Sequence, residues 1–246
     1  MPSILLTRTQ DDCDVLRPEL EAMGYDVLIS PLLHIEHTDN YLPAYQQTLK
    51  SQAIDGAIFT SRHAIAPATQ TSLPFDTPCY AVGEHTSLQL RNAGFTHIHT
   101  FANAAKLADA LLTSPALEGA HLVYFSGEHV RTDLPALCDG HLQITRIITY
   151  KAVLAEALSP DAVEALSTHS LDVISLMSPR TAHHFGQLLH VHDLYDATAQ
   201  LSCFCFGEAV EDAAHTLGFA ACYRSENTDL ASLLALAEAY SIEAEN

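Results

Sequence analysis

The chain has 246 residues, 48% of them hydrophobic and 17% charged, which suits two modest cores and excludes a disordered or fibrous class. With 30 acidic residues against 11 basic ones, the formal net charge of −19 leaves no basic stripe to neutralise phosphates and argues against DNA, RNA or an anionic membrane as partner. No apolar run nears the ~20 residues of a membrane helix, and the start Met1-Pro2-Ser3-Ile4 has no charged n-region or long apolar h-region, so a soluble cytoplasmic protein is expected.

In chain order, residues 4–7 read as a short strand, followed by a helix with Asp11, Asp12 and Asp14 early and Gly24 at its end. Pro18 interrupts that helix. An interior proline costs about 3 kcal/mol, so the helix is expected either to kink there or to begin its regular part near Arg17. A strand over 26–30 runs into Pro31-Leu32-Leu33-His34-Ile35-Glu36, which alternates like an extended connector. Helix 42–51, strand 57–61, helix 64–70, strand 80–83, helix 86–93, strand 97–101, helix 105–112 and strand 122–126 follow. After helix 133–138 come a second extended stretch over 143–153, helix 161–166 and strand 173–177, and a last helix near 229–240 is capped by Thr228. Strand and helix alternate throughout, which implies parallel sheets.

One segment occurs twice, at 79–95 (CYAVGEHTSLQLRNAGF) and 203–219 (CFCFGEAVEDAAHTLGF), offset by 207 − 83 = 124 residues. Each copy reads as strand, Gly-Glu turn, helix and closing Gly-Phe, with a strand and turn before it and a strand and helix after it. The final third holds only three clear strands, too few for a covered doubly wound sheet, so it needs the first two. The expected organisation is a discontinuous α/β domain of residues 1–36 plus 152–246, a second α/β domain over 37–148 inserted in it, and linkers near 31–37 and 144–153. Both domains are expected to be flavodoxin-like with parallel sheets, joined by a two-stranded extended linker, with a cleft between them and hinge closure at the crossings.

Six cysteines show no C-x-x-C pair and mostly sit in apolar patterns, so neither disulfides nor zinc is expected. The 15 histidines include adjacent His183-His184 and His190 with His192, but no H-E-x-x-H pattern, and no metal is expected. Gly83-Glu84 and Gly207-Glu208 are not a G-x-G-x-x-G fingerprint, so a dinucleotide has no support. Turns after parallel strands place backbone N–H groups and helix N-termini at a cleft edge, where they bind anions without basic side chains. Ser61, Ser178 and Thr228 are the best candidates for direct contacts there, and helix capping alone also explains a Ser or Thr at each. Arg8, Arg62, Arg131 and Arg180 stand out because basic residues are scarce and all four follow strand ends or helix starts.

Several motifs fall in one order along the chain: Ile4-Leu5-Leu6-Thr7-Arg8, Pro31-Leu32-Leu33-His34-Ile35, Ile58-Phe59-Thr60-Ser61, Ala81-Val82-Gly83-Glu84, Gly127-Glu128 with Arg131, the stretch 173–185, and Thr228-Asp229-Leu230. In order and spacing the set resembles the uroporphyrinogen-III synthase family over essentially the whole chain. The resemblance implies a cofactor-free dehydrating lyase that takes the linear tetrapyrrole hydroxymethylbilane, expels its terminal hydroxyl and closes the macrocycle with ring D inverted. It also implies transient contact with the deaminase that supplies this substrate. By the same resemblance Tyr150, in Ile147-Ile148-Thr149-Tyr150-Lys151, is the expected proton donor, since a phenol is protonated at neutral pH and can donate to a departing hydroxyl. Read without the family, Tyr150 is an aromatic of a half-buried strand. Arg8, Ser61, Gly83, Arg131, Ser178, Gly207 and Thr228 are the expected substrate contacts. Two positions depart from the family pattern: Thr9 replaces the usual proline after Thr-Arg, and Ser126 stands where a basic residue often precedes Gly-Glu. The rival reading is a non-catalytic two-domain small-molecule binding or sensor protein.

Overall fold

The computed structural model describes residues 1–227 and 230–244. Strand β1 (Ser3–Leu6), helix α1 (Gln10–Ala22), β2 (Asp26–Ile29) and β3 (Leu33–His37) are followed by α2 (Tyr41–Ser51), β4 (Gly56–Phe59), α3 (Ile65–Thr69), β5 (Cys79–Val82), α4 (Glu84–Asn92), β6 (Ile98–Phe101) and α5 (Ala104–Thr113). The chain continues through β7 (His121–Gly127), α6 (Leu134–Leu137), β8 (Gln143–Leu154), α7 (Pro160–Ser167), β9 (Val173–Leu176), α8 (Pro179–Val191), β10 (Ser202–Cys205), α9 (Glu208–His215), β11 (Ala221–Arg224) and α10 (Leu230–Ala244). Thr228, expected as the α10 cap and as a substrate contact, lies outside the described residues. Among the described residues no helix is long and apolar enough to cross a membrane.

Two compact units result, one of residues 1–34 together with 153 onward, the other of residues 35–152. The first holds a five-stranded sheet in the order β11-β10-β9-β1-β2, the second a six-stranded sheet in the order β3-β8-β7-β4-β5-β6. Central strands are apolar on both faces because helices cover both sides of a parallel sheet. Ile4, Leu5 and Leu6 of β1 are buried in the core of the first unit, and every residue of β4 is buried in the second. In the second unit the alternation sorts Ala57, Phe59, Val123, Phe125 and Ile147 into one core cluster and Ile58, Leu122 and Tyr124 into the other, one on each face of the sheet.

The sequence repeat has a spatial counterpart. In one sheet Ala57 of β4 pairs with Cys79 of β5, and Cys79 with Ile98 of β6; in the other, Ile174 of β9 pairs with Cys203 of β10, and Cys203 with Cys222 of β11. Strands β4-β5-β6 therefore match β9-β10-β11, and their inner neighbours complete the match, β7 beside β4 as β1 beside β9. The chain visits the equivalents in different order, since β1 and β2 precede β9 whereas β7 and β8 follow β6. The two units are circular permutations of one strand arrangement.

Helix α1 runs from Gln10 to Ala22 with Pro18 inside it, so of the two alternatives a regular part beginning only near Arg17 is ruled out. Pro18 and Asp14 are both on the exposed side, so the Asp14 carbonyl that the missing N–H leaves over can be hydrated. Beside the parallel ladders of both sheets, the β3 edge pairs antiparallel. The Thr38 N–H donates to Thr149 O, Glu36 pairs with Lys151, and the Ala155 N–H donates to Leu32 O, so the partners run in opposite directions. β3 carries the chain out of the first unit and β8 carries it back, and segments travelling in opposite directions pair antiparallel. Most of β8 is sheet rather than connector, paired with β7 from Gln143 to Tyr150.

Candidate active site

In a doubly wound sheet the turns at the carboxyl ends of the strands are the natural place for chemistry, because helices begin there and backbone N–H groups point outward. In the second unit β4 leads into Ser61, whose Oγ accepts from the His63 N–H at 3.3 Å and caps a short 3-10 turn, Arg62–Ala64. β5 leads into Gly83, the N-cap of α4, with φ +84; its N–H donates to Phe101 O at 2.9 Å. A β-carbon there would meet open space, so glycine is required by the left-handed backbone and not by crowding.

Tyr150 is placed by a bulge. Ser126 pairs with Ile148 and Gly127 with Tyr150, leaving Thr149 as an extra residue of β8. Simple alternation would put Ile147 and Tyr150 on opposite faces. The extra residue returns Tyr150 to the Ile147 side, where it packs against the cluster of Phe59 and Phe125. Its ring lies over Gly127: a β-carbon on that residue would sit 2.7 Å from Cε2 and Cζ of Tyr150. The Tyr150 carbonyl accepts from the Glu128 N–H at 2.8 Å, and the His63 ring stands edge-on to the phenol at 5.7 Å. Tyr150 is half-buried.

Further polar groups of the second unit lie at or near these strand ends, among them Arg62, which its scarcity in the sequence had singled out. The Tyr124 hydroxyl and Thr60 Oγ1 are 2.7 Å apart, and burial pushes the Tyr124 phenol up from its ordinary value. Arg62 Nη1 meets His85 Nε2 at 3.1 Å, joining the turn after β4 to that after β5. Arg146 Nε donates to Ser126 Oγ at 2.8 Å, and its Nη2 donates to the carbonyls of Gly127 and Glu128, each at 2.5 Å. Basic-residue scarcity could have singled out Arg146, but the sequence shows no sign that a residue 20 positions from Ser126 reaches it.

In the first unit Arg8 follows β1, and its Nε forms a 2.8 Å ion pair with Asp12, which is buried and also accepts from Thr9 Oγ1 at 3.0 Å. Ser178 caps α8, accepting from the Thr181 N–H at 3.1 Å with Pro179 behind it as the first helical residue. Gly207 caps α9 with φ +83. Arg131 is exposed between β7 and α6, and Arg180 is exposed in the first turn of α8. The candidates thus form two sets. Ser61, Gly83, Arg131 and Tyr150 belong to the second unit, while Arg8, Ser178 and Gly207 belong to the first. By strand register Ser61 is the counterpart of Ser178 and Gly83 that of Gly207, so the two sheets present equivalent turns. Surface hollows of about 540 Å³ beside Gly140 and Gln143, and about 460 Å³ along Val27 to Ile29, include none of these side chains.

A family model described as uroporphyrinogen-III synthase HemD matches residues 14–235. Among solved structures, a mutant uroporphyrinogen III synthase from Thermus thermophilus shares 16% identity at a TM-score of 0.56, covering 98% of this chain and 100% of that one. The wild-type enzyme from the same organism, in another crystal form, shares 17% identity at a TM-score of 0.45, covering 99% and 100%. At such identity the first likeness is one of fold. No curated protein sequence matches the chain.

Proposed function

This chain belongs to the uroporphyrinogen-III synthase family, lyases of porphyrin and heme biosynthesis, and on that premise we propose that it cyclises and dehydrates hydroxymethylbilane with inversion of ring D, giving uroporphyrinogen III. The family match carries the reaction class. The half-buried Tyr150 phenol over Gly127, at the carboxyl end of a parallel sheet, supports its assignment as the acid.

Hydroxide is a poor leaving group. Protonation by Tyr150 lets it depart as water, leaving an azafulvenium-like cation conjugated with the pyrrole. That cation is attacked at the substituted carbon of ring D, and the resulting spiro intermediate rearranges to the inverted macrocycle. Water must be kept out, because it would quench the cation, and unguided closure would give the unrearranged ring. In this reading the substrate lies between the two domains. The support is that Ser61 with Gly83 and Ser178 with Gly207 occupy equivalent turns, suited by backbone N–H groups and hydroxyls to substrate carboxylates despite the acidic chain. Arg8 and Arg131 add positive charge at the same ends of the sheets.

The test couples the protein to a deaminase that makes hydroxymethylbilane from porphobilinogen, oxidises the product and separates uroporphyrin isomers. Isomer III is expected to predominate, and Tyr150→Phe is expected to lower its rate about 10²-fold with the fold intact. Isomer I alone from folded protein would overturn the reading and favour a binding module.

A further inference from the structure

We propose that Arg146 is a positioning residue, holding the Ser126-Gly127-Glu128 turn as the platform on which the Tyr150 ring sits; the inference rests on the reading of Tyr150 as the acid. Its guanidinium makes three hydrogen bonds to this turn, one to a side chain and two to successive carbonyls. All three acceptors are neutral, and among the described residues no carboxylate lies within ion-pair distance of it. In a chain with 11 basic residues, one is thus committed to a turn that a strand end would ordinarily leave to solvent.

The turn needs that grip because of what rests on it. Arg146 pairs in register with Tyr124, and Ile147 with Phe125, so Arg146 projects from the face opposite Ile147 and Tyr150. The backbone at Gly127 lies between them, tied by its carbonyl to the guanidinium on one side and in contact with the phenol ring on the other. The Glu128 N–H returns a bond to Tyr150 O, closing the arrangement. A shift of the turn is therefore a shift of the phenol. Symmetry points the same way: by register Ser126 is the counterpart of Arg8, so the Arg146 side chain brings a guanidinium to the place where the other sheet carries its own. A lysine would replace it only in part, since its donors radiate from one nitrogen whereas the guanidinium spreads Nε and Nη2 in a fixed plane that spans the Ser126 hydroxyl and the two carbonyls.

The experiment is a double-mutant cycle on the full chain, with Arg146→Gln, Arg146→Lys, Tyr150→Phe and the Gln/Phe pair compared for kcat, KM and isomer ratio, and for melting temperature as a control on folding. Arg146→Gln is expected to lower kcat about tenfold with KM changed less than about threefold, and to add less than about twofold once Tyr150 is Phe. Arg146→Lys should fall between Gln and the parent. An activity-independent arm places fluorotyrosine at position 150: its fluorine resonance should move or broaden in Arg146→Gln. Equal losses in both backgrounds, or an unchanged fluorine signal, would overturn the proposal. A parent protein making only isomer I would instead remove the functional reading, and the fluorine arm would still decide whether Arg146 sets the ring.

Discussion

Gly127 and Tyr150 are matched by shape. Because a β-carbon at position 127 would lie 2.7 Å from two ring atoms, Gly127→Ala forces either the ring or the strand to move. A loss of about 1–3 kcal/mol in urea unfolding is expected, with a fall in isomer III larger than the stability change explains. Tyr124 offers a contrast. Its ring is buried and its hydroxyl meets Thr60 Oγ1, so Tyr124→Phe should cost about 1 kcal/mol of stability for the lost hydrogen bond. At Arg8 the ion pair with Asp12 holds the side chain beyond the end of β1, and Asp12→Asn would weaken that hold by removing the charge while leaving one acceptor oxygen.

Caps separate structural from functional roles among the elements. Ser178 starts a 13-residue helix, and Ser178→Ala should cost about 1 kcal/mol in denaturant unfolding. Ser61 starts a 3-residue turn, so little helix is lost with its cap. Ser61→Ala should therefore change stability less than Ser178→Ala; an activity loss out of proportion to stability would mark substrate contact. Much at this scale was legible beforehand. Buried parallel strands such as 4–7 and 173–177 announce themselves as short apolar runs, because both faces are covered by helices. The repeat announced the matching turns at Gly83 and Gly207. The bulge at Thr149, the reversed edge strand β3 and the reach of Arg146 were not legible, because each depends on a partner distant in sequence. Periodicity read from one strand cannot reveal an extra residue that exists only relative to its neighbour.

Both units carry the same kind of alkaline weakness. Burial pushes the Cys13 thiol in one core and the Cys79 thiol in the other from an ordinary 9.0 up to about 12. Above pH 9 the unfolded chain loses these protons while the folded chain keeps them, so stability is full below that pH and falls as pH rises toward 12. By pH 10 each thiol should cost on the order of 1 kcal/mol. Urea midpoints under reducing conditions should fall between pH 8 and 10, and Cys79→Ala should flatten the slope; a flat profile in the parent would contradict this.

The permuted order of strands has a consequence for how the chain is born. β1 and β2 emerge early in synthesis, but the strand that flanks β1 on its other side, β9, is more than a hundred residues away. All strands of the six-stranded sheet emerge in between. The nested unit can thus complete its sheet while the host still holds only a two-stranded fragment, and its own closure brings residues 34 and 153 together through the antiparallel pairing of β3 with β8. A loop that long is costly to close at random, and a folded insert closes it in advance. The nascent chain can therefore complete its second domain before the strands of the first have all been made.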